Sequence, residues 1–77
     1  MRLSEAVKFR LFHLMKEKYF SQYDFFTKGG IAKSTVSQVL NGTRERLAIR
    51  TVYEMASTMG VSLTEFFNDP LFDEVTD

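Results

Sequence analysis

The sequence predicts an all-α fold in a single domain, and two stretches with helical patterns support this prediction. Residues 21–42 read as two short helices joined by a tight glycine turn. Residues 4–18 place apolar side chains three and four positions apart, which is the spacing of a helix face packed on a core. The chain has 77 residues, enough for one domain with a stability of roughly 4 to 11 kcal/mol.

The first helix is expected over residues 4–18, with Ser4 as its N-cap. Its core stripe is formed by Val7, Leu11, Leu14 and the aliphatic stem of Lys18. A second apolar edge is formed by Phe9, Phe12, Met15 and Tyr19. We favour extra core width for this edge, filled by Phe25, Phe26, Phe66 and Phe67. A surface for a protein partner is the alternative. His13 is expected in solvent.

The first of the two short helices has a clear start and a clear end. Ser21 can accept a backbone N–H at the helix start, and Asp24 offers a carboxylate to the same end. Gly29 and Gly30 supply the left-handed conformation that stops the helix after two turns. The turn is then expected over residues 30–32.

The second short helix is expected to run from Lys33 to the C-cap pair Asn41 and Gly42. Its inner face carries Val36, Val39 and Leu40. Its outer face carries Lys33, Ser34, Ser37, Gln38 and Asn41. This outer face is nearly free of acidic charge, so it can enter a major groove without repelling phosphates. The layout is that of a helix-turn-helix and indicates DNA as the partner.

The chain resembles the Cro/repressor (XRE-type) helix-turn-helix family of phage and bacterial transcriptional regulators. The matching positions are Gln22, Gly30, Val36, Val39 and the pair Asn41-Gly42. Residues 51–67 are similar to the family's fourth and fifth helices, with Gly60 between them and Ser62 as the cap of the last. The resemblance covers about residues 5–68. It implies a compact five-helix, repressor-like DNA-binding domain.

The chain departs from the family pattern at several positions. Phe26 replaces a small residue and Gly29 a larger apolar one, and we expect the two changes to compensate in volume between the motif helices. Ala32 replaces a capping serine or threonine, which costs about 1 kcal/mol. The loop over residues 43–49 is one residue longer than usual and lacks its proline.

The domain is expected to span residues 1–69, followed by an acidic C-terminal tail over residues 70–77. Pro70 is expected to end the fifth helix. Three apolar residues interrupt the tail, namely Leu71, Phe72 and Val75. Docking of this tail against Phe9 and Phe12 is the preferred prediction, and reaching a partner or staying loose are the alternatives.

The net charge is zero, but it is unevenly distributed. Residues 1–50 hold all ten basic side chains and four acidic ones, which gives +6, and the remainder carries −6. We therefore expect a charge dipole that orients the motif toward DNA. The chain has no cysteine, one histidine and no phosphate-cradling glycine loop, so no metal, cofactor or catalysis is expected. No signal or membrane span is visible, which predicts a soluble, cytoplasmic protein.

As the resemblance implies, the protein is expected to be a sequence-specific transcriptional regulator, a repressor that binds a pseudo-palindromic operator as a homodimer. The expected base contacts are Lys33, Ser34 and Gln38. The expected backbone contacts are Gln22, Thr35, Ser37, Asn41, Arg44, Arg46 and Arg50. Asn41 has an alternative role as a helix cap, and Glu45 as an ion-pair partner of a neighbouring arginine. The rival function is a protein-interaction module of the same fold, antirepressor or antitoxin-like, that uses the helix 1 edge or the tail.

Overall fold

A computed structural model describes residues 1–44 and 46–77, and in this part of the chain every regular element is a helix. The α-helices are α1 (Leu3–Glu17), α2 (Gln22–Gly29), α3 (Lys33–Leu40), α4 (Ile49–Thr58) and α5 (Leu63–Phe67). A short 3-10 helix, Pro70–Glu74, follows α5. The predicted all-α, five-helix fold is confirmed.

The core lies between α1 and the four shorter α-helices. The buried residues of α1 include Val7, Leu11 and Leu14, as their spacing predicted. Phe25 of α2 and Phe66 of α5 are the largest fully buried side chains. Lys18, expected to close the core stripe, is instead exposed at the C-terminal end of α1, where it is the C-cap residue. Its aliphatic stem is therefore not a core element.

The start of α1 differs from the prediction. Ser4 lies inside the first turn, and Arg2 occupies the N-cap position. Glu5 Oε1 accepts the N–H of Arg2 at 3.2 Å, and Asp77 Oδ1 accepts the N–H of Leu3 at 2.9 Å. Carboxylates three and 74 residues away thus satisfy donors at this helix end, so the predicted Ser4 cap is wrong.

The second apolar edge of α1 does not widen the core. Phe9 is 44 % exposed, Phe12 46 % and Tyr19 96 %, while Met15 is half-buried. The favoured core interpretation of this edge is therefore wrong for its aromatic members. The reason is geometric, because α3 and the C-terminal segment pack on other sides of α1 and leave this face open.

Phe26 and Gly29 do not compensate for each other. Phe26 is half-buried and packs edge-to-face on Tyr23, with ring centroids 6.1 Å apart. Gly29 is the last residue of α2, and a Cβ placed on it would lie 2.5 Å from Thr58 Oγ1 of α4. Because α4 occupies the space beside Gly29, the missing side chain makes room for that helix and not for the Phe26 ring.

Arg10 is the buried charged residue of α1, with only 9 % of its surface exposed. Its Nε donates to Phe66 O at 2.7 Å, and its Nη2 donates to Glu65 O at 2.9 Å. Its Nη1 pairs with Asp69 Oδ2 at 3.2 Å. The guanidinium therefore satisfies carbonyls at the end of α5.

The C-terminal segment folds back on the domain. The α5 helix already ends at Phe67, and Pro70 begins the 3-10 helix, with Asp69 Oδ1 accepting the N–H of Leu71 at 2.9 Å. The ring of Phe72 lies 5.9 Å from that of Phe66 and 4.9 Å from that of Phe67. The α5 helix therefore ends three residues before Pro70, which was expected to stop it.

Backbone bonds hold the end of the chain against its beginning. The Met1 ammonium donates to Glu74 O at 2.9 Å, and Thr76 N–H donates to Met1 O at 3.0 Å. Docking thus takes place, but at the start of α1 and on the α5 aromatics. Phe9 and Phe12 keep nearly half of their surface in solvent, so docking against those two rings is wrong.

Candidate nucleic-acid interface

The start of α2 is a reciprocal capping box, as predicted. Ser21 Oγ accepts the N–H of Asp24 at 3.3 Å, and Asp24 Oδ2 accepts the N–H of Ser21 at 2.8 Å. The bond from the Ser21 backbone is the main cause that lowers the pKa of the Asp24 carboxyl, with a smaller contribution from Lys28. Gln22, the first residue of α2, is exposed beside this cap.

The turn between α2 and α3 lies where it was predicted. Gly30 is the C-cap residue of α2, with a left-handed φ of 63°, but Gly29 is the last helical residue, so the left-handed conformation predicted for Gly29 is wrong. The N–H of Ile31 donates back to Phe25 O at 3.2 Å, and the Ile31 side chain is buried. This bond and this buried contact fix the direction in which α3 leaves the turn.

The α3 helix begins without a capping side chain and ends with a well-formed C-cap. Ala32 occupies the N-cap position and makes no side-chain bond, as predicted. At the other end, Gly42 has a φ of 69° and donates to Val39 O, while Thr43 N–H donates to Gln38 O at 3.1 Å. This pair of bonds is a Schellman motif, and it confirms the helix-ending role of Asn41 and Gly42.

The inner and outer faces of α3 are separated as predicted. Val36, Val39 and Leu40 are buried. The three predicted base contacts, Lys33, Ser34 and Gln38, lie on the other side of the helix, and all three are exposed. Lys33 Nζ lies 5.7 Å from the centroid of the Phe26 ring, a cation–π contact that directs this side chain toward α2.

The predicted backbone contacts on α3 have structural partners as well. Asn41 Nδ2 donates to Ser37 Oγ at 3.3 Å, so these two candidates hold each other one turn apart. Ser37 and Thr35 are half-buried, whereas Asn41 is exposed. Asn41 also occupies the C-cap position, which bears out its alternative role as a cap.

The three arginines that follow α3 differ in their surroundings. Arg44 is half-buried and lines a small polar cavity together with Thr51 and Glu54. Arg46 is exposed. Arg50 Nε pairs with Glu54 Oε1 at 3.5 Å, and because this pair is mostly in solvent it contributes little stability. Glu45, the predicted ion-pair partner in this loop, lies outside the described residues.

Sequence reasoning missed Arg10, although a signal was present. Arg10 lies three residues after Val7 and four before Leu14, which is the spacing of the buried stripe. Because Asp69 pairs with its guanidinium, Arg10 adds nothing to the positive charge offered to DNA. It belongs to the core rather than to the basic surface.

No helix among residues 1–44 and 46–77 has the length and apolar character needed to cross a membrane.

Comparison with known proteins assigns the chain to a family. No curated protein and no solved structure gives a significant match. The family model described as helix-turn-helix, of the Cro/C1 (XRE) type, matches residues 12–66, which is more than two thirds of the chain. The chain therefore belongs to the Cro/C1-type (XRE) helix-turn-helix family of DNA-binding regulators.

Proposed function

We propose that this protein is a sequence-specific transcriptional repressor that reads the major groove of DNA with residues 33–41. The observation that carries the proposal is the outer face of α3, which is polar, exposed and without an acidic side chain. An α-helix fits the major groove, and a face of this kind meets base edges and phosphates without charge repulsion. We place the DNA-binding unit in residues 1–69, with residues 70–77 as an acidic segment docked on it.

Lys33, Ser34 and Gln38 are the proposed base contacts. Lysine donates to guanine O6 and N7, and glutamine pairs with adenine N6 and N7. The serine hydroxyl can donate or accept, so it tolerates several bases. The backbone carbonyl of Gln38 is already occupied by Thr43, but the side chain points into solvent and is available. Lys33 rests on Phe26 at a contact worth about 0.5–1 kcal/mol, so it can be released toward a guanine or a phosphate at small cost.

The remaining contacts are proposed to bind the DNA backbone. They are Gln22, Thr35, Ser37, Asn41, Arg44, Arg46 and Arg50. Gln22 is at the N-terminal end of α2, where the helix dipole also favours a phosphate. Arg50 leaves only an exposed ion pair when it turns to a phosphate, and such pairs are worth about 0–1 kcal/mol.

Two copies are proposed to bind one operator. Helix-turn-helix dimers read pseudo-palindromic sites whose half-sites lie about 34 Å apart, one helical turn of DNA. One copy presents a single α3, which covers one half-site. A homodimer on a pseudo-palindrome therefore supplies the second recognition helix.

Selection of bound sequences from random duplex DNA tests the proposal, with matched variants to separate base from phosphate contacts. Gln38→Ala is expected to cost about 1–3 kcal/mol on the selected site and to relax preference at one base pair. Arg44→Ala is expected to weaken binding to all sequences and to reduce the salt slope by about one unit. Lys18→Ala, an exposed lysine at the end of α1, is the control and should change neither quantity.

The outcomes of this experiment test two assignments separately, the recognition face of α3 and the repressor function. If the parent protein selects a sequence but Gln38→Ala and Lys33→Ala leave the preference unchanged, the assigned recognition face is wrong. A parent protein that selects no sequence at any salt concentration contradicts the repressor function itself.

A protein-interaction module of the same fold is the second candidate. The exposed rings of Phe9, Phe12 and Tyr19 favour it, because single soluble domains rarely leave adjacent aromatic side chains uncovered. This function predicts tight binding to a protein partner and no sequence-selective binding to DNA. The selection experiment separates the two.

A further inference from the structure

The outward face of α1 carries a straight stripe of four side chains. Glu5, Phe9, Phe12 and Lys16 are spaced by four, three and four residues, which places them on one line along a helix. Phe9 is 44 % and Phe12 46 % exposed, Lys16 is exposed, and Glu5 is half-buried. We call these residues the α1 stripe.

The α1 stripe is complementary to itself when it is reversed. If a second copy lies antiparallel across it, Glu5 faces Lys16 of the second copy and Phe9 faces Phe12 of the second copy. A two-fold axis midway between the two rings generates both pairs twice, as an isologous interface requires. A parallel arrangement would instead place Glu5 against Glu5 and Lys16 against Lys16.

The direction of the pair is set by Glu5 and Lys16 themselves. The bonds from Met1 to Glu74 O and from Leu3 to Asp77 Oδ1 bring two acidic residues to the start of α1, but the Met1 ammonium and Arg2 lie at the same end and offset their charge. An antiparallel pair places Glu5 of each copy against Lys16 of the other, which favours association and sets its direction.

We propose that the α1 stripe is the homodimer contact of this protein, with two α1 helices packed antiparallel. This inference rests on the proposed function only for its biological use, because the dimer itself forms without DNA. Aromatic side chains bury about 150–250 Å² each when fully covered, so the four half-exposed rings add roughly 300–450 Å². This area is well below the roughly 1,200 Å² of a stable complex, so the dimer is weak.

Charge reversal along the stripe tests the arrangement in the absence of DNA. Sedimentation equilibrium of the full chain, from micromolar to about millimolar concentration, measures the dimer Kd. Glu5→Lys or Lys16→Glu alone should raise Kd about tenfold, because each turns two attractive pairs into repulsive ones. The double variant should restore Kd to near the parent value.

The rescue is diagnostic because the two residues cannot meet within one copy. Eleven residues of helix separate Glu5 from Lys16 by about 16 Å. Glu17→Lys makes the same change of charge as Glu5→Lys but lies off the stripe, and it should leave Kd within about twofold of the parent. Urea unfolding of each variant verifies that α1 remains folded despite the lost Glu5 cap.

A second variant tests the aromatic part. Phe12→Ala should raise Kd at least about tenfold, and urea unfolding of the variant verifies that the chain remains folded. A chain that stays monomeric at millimolar concentration overturns the proposal. A dimer whose Kd is unaffected by the two single reversals, or not rescued by the double one, overturns the antiparallel contact while leaving the DNA assignment intact.

Discussion

Replacement of Arg10 by methionine tests the link between α1 and the C-terminal third of the molecule. Methionine keeps the aliphatic stem and the helix propensity of Arg10 but removes the guanidinium with its three donor nitrogens. The Phe66 carbonyl then loses its Arg10 donor, the Glu65 carbonyl keeps only the N–H of Asn68 at 3.2 Å, and the Asp69 carboxylate is left without its cation at 24 % exposure. Breaking a buried pair costs about 3–5 kcal/mol, and the partial exposure of Asp69 places the expected loss near 3 kcal/mol.

Urea unfolding followed by far-UV circular dichroism measures this loss. A decrease of about 3 kcal/mol is a large fraction of the roughly 4–11 kcal/mol expected for a chain of this length. Lys18→Met is the matched control, because this exposed lysine is at the end of the same helix and its loss should cost less than about 0.5 kcal/mol.

A double-mutant cycle separates the ion pair from the carbonyl bonds. Asp69→Asn keeps an oxygen that can accept the N–H of Leu71, so the cycle with Arg10→Met isolates the charge interaction, expected at about 1 kcal/mol. The rest of the loss should persist when Arg10→Met is made in the Asp69→Asn variant. A total cost of Arg10→Met below about 1 kcal/mol would refute the reasoning, because it would mean that water satisfies the α5 carbonyls equally well.

Four further predictions concern stability. Gly29→Ala should cost about 1–3 kcal/mol by urea unfolding, because its Cβ would collide with Thr58 Oγ1, and a Thr58→Ala background should reduce that cost. Tyr19→Gly should raise stability by up to about 1 kcal/mol, because Tyr19 has a left-handed φ of 53° and a side chain in solvent; a raised midpoint in thermal unfolding would show this. Phe26→Ala should cost about 1–2 kcal/mol in urea rather than the 3–5 kcal/mol of a fully buried ring. The pKa of Asp24 is lowered from 3.8 in the folded state, so its contribution is present above about pH 4 and is lost as pH falls through the folded pKa; Asp24→Asn should therefore destabilise at pH 7, and its difference from the parent should shrink as the pH is lowered below about 4.

The sequence by itself determined the helix-turn-helix. The Ser21 capping box, the Gly30 turn, the uncapped start of α3 at Ala32 and the Asn41-Gly42 end are all where the residues predicted them. These features depend on hydrogen bonds between residues three to six positions apart. Local interactions of this kind can be predicted from the sequence without knowledge of the fold. The separation of α3 into a buried and a polar face follows from helical periodicity alone.

Only the tertiary structure decided which side chains meet across the chain. Arg10 is buried because the end of α5 presents two carbonyls to it, and Gly29 lacks a side chain because Thr58 of α4 lies there. Phe9 and Phe12 remain exposed because the C-terminal segment packs on the start of α1 and on the α5 aromatics instead. Each of these outcomes depends on a contact between residues far apart in the chain, and the geometry that creates it exists only after the helices have packed. Spacing along one helix tells which residues share a face, but it carries no information about which neighbour covers that face.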